Sequence, residues 1–139
     1  MSYYDTRQAL MTRLIASAVV PESNIAFENN TFDPANKNVW VAGFFIPATT
    51  DALGKTSKDF DDQRGIFQIS VYVKKNSGDF DTLQLQTIDA LKAAFKYNDQ
   101  LVYNAQTVSI LDSTTNNGFE VESWFKRDIS INYLTFSQR

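Results

Sequence analysis

The sequence predicts an α+β fold: a mostly antiparallel or mixed sheet, two helices packed on one face, and a long loop between two central strands. Three observations predict it. Segments 3–18 and 79–97 carry apolar residues at helical spacing. Segments 39–46, 65–75 and 119–135 run apolar or alternate at strand period. Between the first two of these strands lies a polar run, 48–64, far longer than the ~4–6 residues of a typical connection. With 139 residues, 43% hydrophobic and 21% charged, the chain is expected to form one domain over 1–139.

Along the chain, Leu10, Met11, Leu14 and Ile15 share a face of the first helix with Tyr3 and Tyr4. Ser2 and Asp5 have the spacing of a capping box, and Pro21 ends the pattern. Residues 25–27 predict a short strand, followed by turn formers from Asn29 to Asn38. The strand over 39–46 is apolar on both sides, with Val39, Val41 and Phe45 on one and Trp40, Phe44 and Ile46 on the other. A strand with one wet face alternates. This one predicts cover on both faces, the second supplied by the chain's own loops or by another subunit.

In the next strand Phe67, Ile69, Val71 and Val73 form an apolar face, and Asn76-Ser77-Gly78 reads as a turn. The second helix presents Phe80, Leu83, Ile88, Leu91, Ala94 and Phe95. Short strands follow at 101–103 and 107–111, then a turn at Asn116-Asn117-Gly118. The final alternation puts Phe119, Val121, Phe125, Ile129, Ile131 and Tyr133 on one face. Trp124 falls among the polar residues of the other, Glu120, Glu122, Lys126, Asp128, Ser130 and Asn132. An unbroken strand over 119–135 would span roughly 55 Å at ~3.3 Å per residue, so a bulge or bend is expected near 126–128.

Composition narrows the chemistry. There is no cysteine and no histidine, which removes thiolate and imidazole ligands, cysteine nucleophiles and the commonest general base near neutral pH. Net charge is −3, and the basic residues are scattered rather than gathered in a stripe, so specific nucleic-acid binding is not expected. No segment approaches ~18–20 apolar residues and the N-terminus lacks a basic leader, so neither a membrane span nor a signal peptide is expected.

The remaining motifs favour plain readings. Gly54-Lys55-Thr56 resembles the end of a phosphate loop, but Thr49 stands where that motif needs glycine and no helical stripe follows. Asp59, Asp61 and Asp62 offer hard-cation oxygens without calcium-loop spacing. They suit pairing with Lys55, Lys58 and Arg64 of a neighbouring subunit. Glu120 and Glu122 fall ~7 Å apart on one expected strand face, a spacing that paired-carboxylate hydrolases use, but no pocket residues accompany them. No catalytic residue, cofactor or metal site is therefore expected. Trp40 and Trp124 lie on faces where the pattern predicts exposure or a second layer; tryptophan is enriched in interface cores, and an ordinary place in the core is the alternative.

The order and spacing of these pieces resemble the bacteriophage tail terminator proteins, minor tail proteins that cap the tail tube of long-tailed phages. The resemblance covers nearly the whole chain. It rests on the N-terminal helix, an N-x-x-F-D-P turn over 29–34, the strand opening Val39-Trp40-Val41, and the loop containing Leu53-Gly54. It continues through the strand 65–73, a turn with Gly78, a helix ending near Phe95, and a Trp124-centred strand running to Tyr133. It implies a six-membered ring of identical copies that halts tube polymerisation and forms the tail side of the head–tail joint. The implied partners are other copies of the chain, the tail tube protein and a head-completion or connector protein. The implied location is the head-proximal end of the virion tail, after assembly in the host cytoplasm. Trp40, Phe44, Leu53, Lys55, Lys58, Asp59, Asp61, Asp62, Arg64 and Trp124 become candidates for ring or tube contacts. A head–tail connector or tail-completion protein of similar size is the alternative reading, ahead of a small ligand-binding domain or enzyme.

Overall fold

The computed structural model describes residues 3–75 and 78–138. Helix α1 spans Tyr3–Ala16 and helix α2 spans Gly78–Ala94. The strands are β1 (Ile25–Phe27), β2 (Val39–Ala52), β3 (Phe60–Lys74), β4 (Gln100–Tyr103), β5 (Gln106–Thr115), β6 (Phe119–Val121) and β7 (Trp124–Gln138). They make one sheet in the order β1-β2-β3-β7-β5-β4, with β6 added on β7. All pairings are antiparallel except β1 with β2. The capping-box residue Ser2 and the turn residues Asn76 and Ser77 lie outside the described residues.

The fold class differs from the α+β expectation. Almost half of the described residues are strand, and the sheet curls as a half-barrel rather than lying flat under a two-helix layer. Long twisted strands coil naturally, and β2, β3 and β7 are the longest here. The concave side holds the core. Phe67, Ile69 and Val71 of β3, Ile129, Ile131 and Tyr133 of β7 and Val108 and Ile110 of β5 meet Leu10 and Leu14 of α1 and Ile88 and Leu91 of α2. Tyr3 and Tyr4, placed by periodicity on the apolar stripe, are exposed at the helix start.

Polar side chains fasten the helices. Gln84 of α2 is fully buried; its amide nitrogen donates to the carbonyls of Val71 (2.9 Å) and Phe125 (3.1 Å), and its oxygen accepts from Arg127 Nε (2.9 Å). Arg13 of α1 donates to Ala94 O at the end of α2 (2.9 Å) and to the Asp99 carboxylate (3.0 Å). A basic group there suits the helix C-terminus.

The expected loop over 48–64 is a β-hairpin. Strands β2 and β3 stay paired from Val39 opposite Val73 out to Ala52 opposite Asp61, with one irregularity between Pro47 and Thr49. Only 53–59 remains as the connection. Strand β7 follows β3 along its whole length, from Lys74 opposite Trp124 to Phe60 opposite Gln138. Pairing on β3 from both sides thus holds polar residues extended that local propensity alone leaves ambiguous.

The last strand also departs from expectation. The break falls at Glu122-Ser123, where β6 turns back on β7 with Val121 opposite Trp124, and Glu122 takes φ 53°. The reversal exchanges the faces of β6. Phe119 lies opposite Lys126 on the outer side, and Lys126 Nζ sits 5.1 Å from its ring centre. Glu120 and Glu122 therefore do not share a regular strand face: Glu122 is in the turn and Glu120 meets Lys75 Nζ at 3.4 Å.

Candidate assembly surfaces

Strands β2, β3 and β7 are long enough to carry two different surfaces on their convex side, about 33 Å apart from Tyr72 to Asp62 at ~3.3 Å per residue. Near the β3 C-terminus lies an aromatic platform. Trp40 stacks on Tyr72, ring centres 3.9 Å apart and 4° from parallel. Trp124 meets Trp40 edge-on at 5.8 Å, and Phe32 from the preceding loop covers it at 5.0 Å. Lys126 Nζ lies 5.8 Å from the Tyr72 ring centre. Cross-strand register explains the grouping, since Trp40 is opposite Tyr72 and Tyr72 opposite Lys126. The second apolar face of β2 is thus covered at Trp40 by the chain's own aromatics. Phe44, further along the same face, is half-buried.

At the other end the hairpin forms an arm. Beyond the core its β2 flank is free of β1, which pairs only with Val41 to Gly43. On the convex side Ile46 is 42%, Phe60 49% and Phe136 50% exposed, and Leu53 at the tip is 57% exposed. Register places Ile46 opposite Ile66, Arg64 opposite Leu134 and Asp62 opposite Phe136 on one continuous face. Isolated exposed apolar residues are ordinary, whereas a contiguous set marks an interaction site. Phe60 and Phe136 escaped the sequence reading, whereas Ile46 falls on the second apolar face of its strand that the sequence expects to be covered. The face of β3 in the arm, Phe60, Asp62, Arg64 and Ile66, carries two charges between its apolar residues, so no period-2 apolar pattern marks it.

The tip is locally braced. Thr56 N donates to Asp59 Oδ2 (3.0 Å), Asp59 N to Thr56 O (3.2 Å), and Leu53 N to Phe60 O (3.1 Å). Gly54 leaves room for that carboxylate, since a Cβ there would collide with it. Gly54-Lys55-Thr56 therefore sits at a hairpin tip rather than before a helix. Asp62 pairs with Arg64 of its own strand at 3.2 and 3.3 Å. Of the candidate residues, the structure brings Trp40 and Trp124 together at the platform. It gathers Leu53, Lys55, Lys58 and Asp59 at the tip, with Asp61, Asp62 and Arg64 just below. Among the described residues no helix is long and apolar enough to cross a membrane.

Residues 5–133 match the family model described as phage tail terminator protein. The chain is therefore a structural protein of the phage tail and a component of a virion. It belongs to the phage tail terminator family. Among solved structures, one similar chain is 23% identical with a TM-score of 0.75, the match covering 97% of this chain and 96% of that one. Another, from the structure titled virion of native gene transfer agent (GTA) particle, is 14% identical with a TM-score of 0.57, covering 98% of this chain and 100% of that one. At these identities the likenesses show the fold. No curated protein matches significantly.

Proposed function

We propose that this protein caps the tail tube, stops its polymerisation and forms the tail side of the head–tail joint, acting as a six-membered ring. The family match over 5–133 carries this reading. The arm supplies a physical means. A ring uses heterologous contacts, in which one surface meets a different surface of the neighbour. An apolar arm at one end of the long strands and a distinct platform at the other satisfy that requirement. Phe60 is 49% and Leu53 57% exposed, so burying what remains of one of them contributes about half of the ~1.5–3 kcal/mol of a fully exposed side chain. We assign Leu53, Phe60 and Ile46, with Lys55, Lys58, Asp59, Asp61, Asp62 and Arg64 around them, to contacts with a neighbouring copy or the tube end. Phe44, Trp40 and Trp124 belong to the second surface. The tail tube protein and a head-completion or connector protein are the partners, at the head-proximal end of the tail, after assembly in the host cytoplasm.

The test adds purified protein to growing tail tubes and measures tube length and solution mass. The expected result is arrested growth, label at one tube end and a mass near six copies. A persistent monomer that leaves tube length unchanged would overturn the reading. Binding to the connector side without binding tubes would replace it with the head–tail connector assignment.

A further inference from the structure

Segment 28–38 crosses the platform as a strap. At its start Glu28 Oε1 accepts from Phe45 N (2.5 Å), and beyond its end Val39 O accepts from Asn24 Nδ2 (2.9 Å). Between these anchors its hydrogen bonds are local: Asn30 N to Phe27 O (3.3 Å), Ala35 N to Asp33 Oδ1 (3.0 Å) and Lys37 N to Pro34 O (3.0 Å). The ring of Phe32 on Trp40 is its aromatic hold on the sheet. In the platform under it, Trp40 Nε1 is buried with no hydrogen-bond partner among the described residues. A buried donor without an acceptor is an uncompensated cost, so a bound group that supplied one would be favoured.

Beside the strap is a cleft of about 410 Å³, within the ~300–1,000 Å³ range of ligand sites. Asp33, Pro34 and Ala35 form one wall; Lys74, Lys75, Ser123 and Trp124 form the other. The lining thus holds two ammonium groups and one carboxylate, and the Asp33 carboxylate already accepts from Ala35 N. Lys74 is exposed. Lys75 meets Glu120 at 3.4 Å, but that carboxylate side chain is 68% exposed, so the pair is weak and replaceable. The indole of Trp124 and the ring of Pro34 add apolar surface beside the charges.

We propose that this cleft docks an extended acidic segment of a partner protein, its carboxylates on Lys74 and Lys75 and its apolar side chains against Trp124, with the strap shifting to admit it. Movement of Phe32 off Trp40 would let a peptide carbonyl accept from the Trp40 N–H. This docking is separate from the proposed tube contact through the arm, but it uses Trp124, which the ring reading gives to a neighbouring copy, so at that residue the two contacts exclude each other.

The chain has only two tryptophans, Trp40 and Trp124, and both lie at the platform, so indole fluorescence reads the site directly. The probe is a synthetic peptide alternating glutamate and leucine, titrated into the full chain beside a lysine–leucine peptide and a single-stranded DNA oligonucleotide. The expected result is a saturable emission change with the acidic peptide alone, weakened at least tenfold in the double variant Lys74→Glu/Lys75→Glu. The double variant Lys92→Glu/Lys96→Glu on and just beyond α2 should bind like the parent. If the first variant fails to fold, Lys74→Gln/Lys75→Gln takes its place with the same expectation. No saturable change, equal binding by the platform variant, or an equal response to DNA would each overturn the proposal. Arrested tube growth in a protein that ignores the acidic peptide would remove this inference and leave the proposed capping function standing.

Discussion

The same three strands, β2, β3 and β7, live in two environments. At the root, α1 and α2 cover the concave face while aromatics pack on the convex one; Val41, Phe67, Ile69, Val71, Ile129 and Ile131 are completely inaccessible. In the arm, strand pairing continues and Gln63 and Thr135 stay buried on the core side, but the convex cover stops, and Ile46, Phe60 and Phe136 stand in solvent. At the root, apolar side chains stabilise the monomer. In the arm, similar side chains contribute little until something covers them. Strand pairing carries the second environment out from the first, so a rigid core can present an interaction surface at a distance.

The largest expected effect tests the root. Phe67 is fully buried and its ring meets Phe95 at 5.7 Å, so Phe67→Ala should cost about 3–5 kcal/mol in denaturant unfolding. A loss below about 1 kcal/mol would mean that the concave core is not the seat of stability. Alkali should strike the boundary between the two environments. Tyr133 is buried, stacks on Phe45 at 5.7 Å, and lies so close to Gly65 that a Cβ there would be 2.5 Å from its hydroxyl. Burial pushes its phenol pKa up, with the charge of Tyr3 a smaller cause. The folded state therefore favours the protonated phenol. That stability is fully present below the unfolded pKa of about 10 and is lost as pH rises above it towards the folded value. Tyr133→Phe should remove this part of the alkaline limb in a pH series of unfolding curves; an identical limb would exclude Tyr133 as its source.

How much of this contrast is legible in the sequence depends on whether the cause is local. Both helices, the strand β1 and the apolar face of Phe67, Ile69, Val71 and Val73 follow from periodicity and turn residues near them. The arm does not, because residues such as Thr49, Thr50, Asp51 and Asp62 are held extended by partners far along the chain. The turn at Glu122-Ser123 lacks Asn-Gly or Asp-Gly, while the stronger signal at Asn116-Asn117-Gly118 lies just before it. Missing that reversal also misplaces Phe119, since a turn of two residues exchanges which side chains share a face. The candidate site was legible at its tip and in its tryptophans, but not in the exposed apolar face that joins tip to core.

A smaller effect is expected where α2 is fastened to the root. Gln84 joins the carbonyls of Val71 and Phe125 and accepts from Arg127. Gln84→Leu keeps the bulk but leaves those groups without their partner, at about 1–3 kcal/mol. Amide exchange should quicken along α2 while the arm is unchanged. Equal quickening in the arm would mean that the two environments unfold as one unit.

The smallest expected change in stability is the sharpest test of the comparison. Phe60 is 49% exposed and Leu53 57% exposed, both at the outer end of the arm. Phe60→Ser and Leu53→Ser should each shift monomer unfolding by no more than about 0.5 kcal/mol, as surface substitutions do. Ring formation or tube arrest should nevertheless fall, because an apolar anchor buried at an interface contributes far more than the same side chain in water. The pair of measurements separates two origins for the exposed residues. Unchanged unfolding with lost assembly means that they are kept for a partner. Lost unfolding stability means that the arm is part of the core after all, and unchanged assembly means that the ring is built from other surfaces. Val102, 66% exposed on the edge strand β4, is the matched control, equally apolar and solvent-facing but at the opposite margin of the sheet. Val102→Ser should leave both unfolding and assembly as they were, so loss of assembly there would move the interface from the arm to that edge.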